Sequence, residues 1–380
     1  LIRYCSIVLC LAVGLLVTLG LVMVSSTGAW VYQNDGPYTF VRKQAFMAII
    51  GVIGAIIAAR FPEKIIRKYW PWALAAVCVM LALCFVPGIG IEEFGSKRWI
   101  RLGIRFQPSE LARVVGIIAL AGWFARWQTE VHTFWRGFVL PGILIGLPIG
   151  LIAMETDVGS AMSMSVACAA LFFCAGSRLR YLVPTIVAGA SAAWIFIRYD
   201  AVRWARVEAW MDMDNPIYQL GVNRQQWRAL IAFGNGGPTG VGLGNGSEKF
   251  GSLTFAHIDF IFAEIGEELG LPFTLGVVLC YVLIAVCGIG IASHANTVFS
   301  RLLAIGLTCM IVVPAMQNIA VTTACMPNDG LPLPFVSYGG TSMVLSLVAV
   351  GLLAGIHRRS SPRDPVDAVF EQNRRDAIRL

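Results

Sequence analysis

The sequence predicts an all-α polytopic membrane protein, and three observations carry that prediction. Hydrophobic residues fill 57% of the 380 positions and charged residues 13%, against roughly 45–50% and 25% in ordinary globular domains. Mean hydropathy is +0.72, more apolar surface than one water-facing core can hide. The apolar residues also gather into about ten long runs without strand-like alternation, and only helices or closed barrels satisfy the backbone in lipid.

In order, the runs cover 4–24, 44–59, 70–88, 108–125, 138–154, 158–176, 181–198, 271–292, 302–320 and 338–356. Each is close to the roughly 20 residues that cross a bilayer. The first is too long and apolar, and lacks a small-residue cleavage motif, for a removed signal peptide. Residues 1–356 thus read as one membrane domain and 357–380 as a polar cytoplasmic tail. Nine of the ten cysteines fall inside apolar runs and none forms a C-x-x-C, so they read as packing residues, with no zinc or redox site.

An even number of spans puts both termini on one side. Lys and Arg concentrate in the short loops of that side: Arg60, Lys64, Arg67 and Lys68; Arg178 and Arg180; Arg358, Arg359 and Arg363. The positive-inside rule makes it cytoplasmic. The net charge of +7 therefore speaks of topology, and no nucleic-acid partner is expected. Outer positives cluster at 97–105 and 198–249, where an anionic ligand is one reason for them.

The segment from about 199 to 270 is too long for a passive connection. Gln225 to Phe233 reads as helix, and a glycine-rich stretch from Gly234 to Gly246 follows. It matches neither nucleotide-binding fingerprint.

Four blocks could carry chemistry. The first, 256–270, holds Asp259, Glu264, Glu267 and Glu268 at the mouth of a span. A helix over 259–269 would set Asp259 and Glu267 about two turns apart on one face. A carboxylate between Ile258 and Phe260 is partly desolvated, which raises its pKa toward that of a usable base. Acids solvating a helix N-terminus are an even alternative for Asp259 and the better one for the glutamates. His257 beside them caps or pairs. The second block interleaves Lys97, Arg98 and Arg101 with Trp99, which suits a phosphate; taken alone, snorkelling cations with an interfacial Trp rank ahead. Pro108 then fits a first helical turn, and Glu110 and Arg113, three apart, can neutralise each other in the membrane.

The third block is Glu155-Thr156-Asp157, a tight outer turn able to hold an amine, a cation or an Arg, though a solvated turn is the more ordinary reading. The fourth, 332–342, opens the last span through Ser337, Tyr338 and Gly339. Its N–H groups could bind an anion, or its glycines could serve helix packing. No Ser-His-Asp order, metal-ligand cluster or haem signature competes.

Five blocks in chain order now stand together: G-S-K-R-W-I-x-L-G with Q-P-S-E-L, E-T-D-V-G-S-A, G-x-G-G-x-x-G-x-G-L-G, H-I-D-F-I-F-A-E-I-G-E-E-L-G and P-F-V-S-Y-G-G-T-S. Over about 1–360 they resemble the SEDS family (shape, elongation, division and sporulation). Gly20 to Val24, and Asn245 with Lys249, look more like its division branch than its elongation branch. The resemblance implies a ten-helix peptidoglycan glycosyltransferase of the bacterial inner membrane. It would polymerise lipid II at the division septum, beside a class B penicillin-binding protein and other divisome proteins. Asp259 matches the family's essential aspartate, the base that deprotonates the acceptor's 4-hydroxyl while undecaprenyl pyrophosphate leaves with inversion. Lys97, Arg98, Arg101 and Lys249 are then candidates to stabilise the leaving group, and Ser337, Tyr338 and Gly339 to contact substrate. Glu110, Arg113, Asp157 and His257 would support them. No cofactor is required, and a divalent cation at the pyrophosphate is left open.

The sequence departs from the family pattern in places. Leu253-Thr254-Phe255-Ala256-His257-Ile258-Asp259 lacks the usual Pro, Glu and Thr, Thr156 replaces a common Pro, and Arg228-Ala229 stands for Gln-Ser. The aspartate is kept. A lipid II flippase is the second reading, because an intramembrane pair such as Glu110–Arg113 points to transport. Inverted repeats with matching broken helices are not evident, and the polar chemistry sits at the outer surface. A scaffold that recruits division partners, and an elongation polymerase, also stay open.

Overall fold

The structure, a computed structural model, describes residues 4–31, 38–88, 90–93, 96–102, 104–250, 253 and 256–360. For 29–31, 91–93, 96, 97, 101, 102, 104 and 105 it describes the backbone alone. Seven long helices come first: α1 (Cys5–Val31), α2 (Thr39–Arg60), α3 (Glu63–Leu83), α4 (Pro108–Arg126), α5 (Leu140–Met154), α6 (Val158–Ala175) and α7 (Leu179–Tyr199). A wider helical turn at Trp135–Val139 leads into α5. Four shorter helices fill the outer segment: α8 (Ala201–Met211), α9 (Pro216–Leu220), α10 (Arg224–Gly236) and α11 (Ile261–Leu269). Then follow α12 (Leu271–Ser293), α13 (Val298–Thr322) and α14 (Gly340–Ser360). Among the described residues 10 helices, α1 to α7 and α12 to α14, are long and apolar enough to span a membrane.

α4 is the axis of the bundle, with 78% of its apolar window buried, whereas α7 stands at the periphery with 6%. Small residues permit that depth. A Cβ on Gly116 would meet Met164 and Ile145, and one on Gly122 would meet Trp70. Gly351 and Gly355 of α14 lie against the backbone of Ala55 and Ala59 in α2; a Cβ at Gly351 would come 2.2 Å from the Ala55 carbonyl. This is the small-xxx-small packing that brings helices together where lipid supplies no hydrophobic drive.

Three features differ from the sequence reading. α3 starts at Glu63 and ends at Leu83, earlier than the apolar run 70–88: Glu63 suits a first helical turn, and Pro87 disfavours helical backbone just ahead of it, where the chain already runs in turns after Cys84. The chain then forms an antiparallel meander of β1 (Gly90–Glu93), β2 (Ser96–Leu102) and β3 (Ile104–Phe106), in the order β1-β2-β3. Ile100 pairs with Gly90 on one side and Phe106 on the other. Finally, the helical stretch around 225–233 is preceded by two further helices, α8 and α9. Asp200 opens α8 by accepting the N–H groups of Val202 and Arg203, and Asn215 opens α9 by accepting that of Ile217 ahead of Pro216, both as N-caps. α14 runs to Ser360, so the expected tail lies outside the described residues beyond that point.

With alternating spans, the connections at 84–107, 155–157, 200–270 and 323–339 meet at one end of the bundle. The ends of α1 and α14 nearest the chain termini lie at the other.

Candidate active site

Asp259 lies in the turn 256–260, just ahead of α11, and is half-buried. The helix begins at Ile261, so the expected stacking of Asp259 and Glu267 on one helical face does not occur. The carbonyls of 257, 258 and 259 are each held from elsewhere. The Tyr338 N–H donates to His257 O at 2.9 Å, the Ser337 hydroxyl donates to Ile258 O, and Asn318 Nδ2 of α13 donates to Asp259 O at 2.7 Å. Asn318 Nδ2 also donates to Leu331 O at 2.7 Å, so one side chain ties the turn to the connection after α13. That connection approaches the carboxylate directly: a Cβ on Gly330, which sits at φ +71°, would lie 3.6 Å from Asp259 Oδ2.

Desolvation is the main force on Asp259 and pushes its carboxyl up to about 7. The negative charges of Asp329 and Asp157 add to this, and the Arg98 and Arg206 guanidiniums oppose it. Asp329, also raised by burial, is held at about 6. Arg98 comes from β2; its Nη1 lies 3.7 Å from Asp157 Oδ2 and its Nη2 donates to Thr156 O at 3.1 Å. Asp157 caps α6 by accepting the Ser160 N–H and is also met by Gln107 Nε2. Arg206 of α8 donates to Asn328 O at 3.4 Å. Glu155 is buried, and desolvation raises it to about 8, which keeps it protonated at neutral pH. Thr156 between these acids has φ +66°, the left-handed region that strains a β-branched residue.

The other expected residues have distinct placements. His257 is buried, lies against Phe40 and Tyr338, and desolvation lowers it to about 4, so it is neutral. Ser337 and Tyr338 hold the Asp259 turn, while Gly339 N–H donates to Gln44 Oε1 and Gln44 Nε2 donates to Ser337 O. The Tyr338 and Gly339 N–H groups are therefore engaged by protein and do not form the anion cradle envisaged for them. Glu110 and Arg113 form a buried ion pair on α4. Lys97 and Arg101 lie in β2, with side chains outside the described residues.

Lys249 is a correction. Its ammonium is buried against Glu268 and also donates to Gly244 O and Ser26 Oγ, so its charge is neutralised within the protein. Glu267 and Glu268 of α11 do not solvate a helix end either. Glu267 accepts the N–H groups of Ser247 and Glu248 and the Ser247 hydroxyl, and Glu268 accepts the Gly244 N–H and the Ser26 hydroxyl. Together they fasten the glycine-rich loop, whose Gly240 (φ +75°) passes so close to α11 that a Cβ there would lie 2.4 Å from Glu268 O.

Asn318, Asp329, Arg206 and Gln44 were not anticipated. Asn318 and Gln44 carried a readable signal as polar side chains inside apolar runs, and Arg206 lay in the outer cluster of positives at 198–249 without being singled out; Asp329 sits in a polar connection without a signal. Among the described residues no three His, Cys, Asp or Glu side chains are placed to hold a metal ion, so no step is assigned to a divalent cation.

The arrangement offers a carboxyl raised to about 7, on a fixed turn and within the electrostatic reach of two guanidiniums. Comparisons place it in a family. The model of the FtsW/RodA/SpoVE cell cycle proteins matches residues 6–362. A probable peptidoglycan glycosyltransferase FtsW of Geobacter metallireducens is 35% identical, over 94% of this chain and 95% of that protein. One of the same description from Coxiella burnetii is 35% identical, over 90% and 93%. A chain of a peptidoglycan synthase complex that coordinates polymerization and crosslinking has the same fold, with a TM-score of 0.76 and 23% identity over 93% of this chain and 98% of its own. With nearly its whole length matched, this chain belongs to the FtsW/RodA/SpoVE family of cell cycle proteins.

Proposed function

We propose that the chain is a peptidoglycan glycosyltransferase that polymerises lipid II, with Asp259 as its general base. The observation that carries this reading is the clamped turn at 257–259, whose carboxyl desolvation raises to about 7 against the opposing fields of Arg98 and Arg206. A base of that pKa is ionised in a large fraction of molecules at neutral pH and still binds a proton well. The acceptor's N-acetylglucosamine 4-hydroxyl oxygen bonds to the anomeric carbon of the donor N-acetylmuramic acid, and its proton passes to Asp259. The bond from that carbon to the pyrophosphate breaks, and undecaprenyl pyrophosphate departs with the electron pair, inverting the centre. Direct displacement needs a single base, unlike the paired carboxylates of glycosidases. Arg98 and Arg206 are candidates to stabilise the charge that develops on the pyrophosphate. Lys97 and Arg101 remain candidates for the pyrophosphate, and Lys249, ion-paired to Glu268, does not.

The names of the curated relatives support this activity and a role in division. The similarity to a synthase complex supports a class B penicillin-binding protein as partner. The Lys and Arg distribution supports cytoplasmic termini and an active site on the outer side of the membrane, and the FtsW names of the relatives support a place in the inner membrane at the septum. The test is polymerisation of lipid II by the purified protein with its partner, whose transpeptidase site is inactivated. Asp259→Asn should reduce glycan synthesis by roughly 10²–10⁴-fold, the usual worth of a general base, with expression and partner binding intact. A folded variant that still polymerises removes Asp259 from this role. No polymer from the folded wild-type complex turns the reading toward lipid II translocation.

A further inference from the structure

At the opposite end of the bundle, a cavity of about 380 Å³ opens between the start of α3, the end of α4 and the start of α13. Its wall includes Arg67, Arg126, Gln128, Thr129, Thr297 and Phe299. The volume falls within the roughly 300–1,000 Å³ of small-ligand sites. We propose that this cavity binds the phosphate headgroup of an anionic diacyl lipid.

Three observations select that ligand. First, the charge in the cavity wall is guanidinium from two different helices, the group that pairs best with a phosphate. Second, the nearby acids are engaged. Glu63 accepts the Thr297 and Ser300 hydroxyls at 2.9 and 2.8 Å and approaches Arg67 only to 3.9 Å, while Glu130 pairs with Arg136. Third, the cavity sits where three membrane spans end, at the level of the bilayer surface. Basic pockets between spans at such a surface are where anionic headgroups bind. Gln128 and Thr129 supply neutral hydrogen-bonding groups for a polar headgroup. With cytoplasmic termini this is an inner-leaflet site, but the inference needs only a bilayer surface at this end.

The experiment is native mass spectrometry of the detergent-purified full chain, titrated with phosphatidylglycerol, with phosphatidylcholine of the same chains, or with phosphatidylglycerol plus millimolar inorganic phosphate. Wild type should retain phosphatidylglycerol over phosphatidylcholine, and inorganic phosphate should leave that retention unchanged. Arg67→Gln/Arg126→Gln should weaken phosphatidylglycerol by roughly tenfold or more without altering phosphatidylcholine, and Arg67→Lys/Arg126→Lys should recover part of the loss. Unaltered lipid polymerisation by the Gln variant would show that it folds. Equal retention of phosphatidylglycerol by wild type and the Gln variant overturns the proposal. Displacement of the lipid by inorganic phosphate also overturns it, in favour of a site for a free anion.

Discussion

At Asp259 the desolvation that raises the carboxyl to about 7 and the two arginines that pull it back are both fixed by where the turn is held. Three backbone carbonyls in a row are clamped, and Asn318 serves two of the linked segments at once. Asn318→Ala should therefore act through position. Its loss frees the Asp259 and Leu331 carbonyls, and the expected result is a fall in kcat of about 10-fold or more with a smaller change in KM, since misplacing a reacting group by about 1 Å costs up to 10²-fold. An equal loss in both parameters, or none, would deny it a positioning role. The desolvation of Asp259 was legible in Ile258 and Phe260, which left it even with an acid that solvates a helix end; the family resemblance singled it out. Asp329 was not legible, because it lies 70 positions away in an ordinary polar turn and only tertiary packing brings its charge into the same field. Ser337 and Tyr338 were legible as important but not in role, since a motif does not reveal that its N–H groups already have backbone partners.

At the scale of elements, the glycine-rich loop and α11 form a unit joined by buried charge. Lys249 and Glu268 are both almost fully buried. Removing one member of such a pair leaves an uncompensated charge and costs roughly 3–5 kcal/mol, whereas a matched neutral pair is often tolerated. Lys249→Met should thus lower thermal stability sharply, and Lys249→Met/Glu268→Gln should restore most of it. A stable single variant with impaired lipid II binding would return Lys249 to the substrate. Long apolar runs made the spans readable, and Gln225 to Phe233 showed α10 through its lack of Gly and Pro. The meander 90–106 escaped notice because its strands are short and β2 carries three cations, which reads as a charged loop. The N-caps of α8 and α9, Asp200 and Asn215-Pro216, were signals present in the sequence and not used.

For the whole molecule, the bundle separates two chemistries at its two ends: acids and arginines around Asp259 at one, and the arginine-lined cavity at the other. Composition alone disclosed the membrane class, because it is a sum over many residues, and loop charge predicts an orientation by the same kind of sum. The way four connections converge on one carboxylate depends on helix packing such as that of Gly351 and Gly355 on α2, which no local pattern encodes. The central claim is that this convergence makes Asp259 a base at neutral pH. It is tested most directly by the pH dependence of kcat for lipid II polymerisation, in wild type and Asp329→Asn. Because a raised carboxyl must lose its proton to act, activity should rise with pH along a limb centred at about 7. Removing the Asp329 charge should move that limb to lower pH. A limb near the ordinary carboxylate value of about 4, or one that Asp329→Asn leaves in place, would contradict the account.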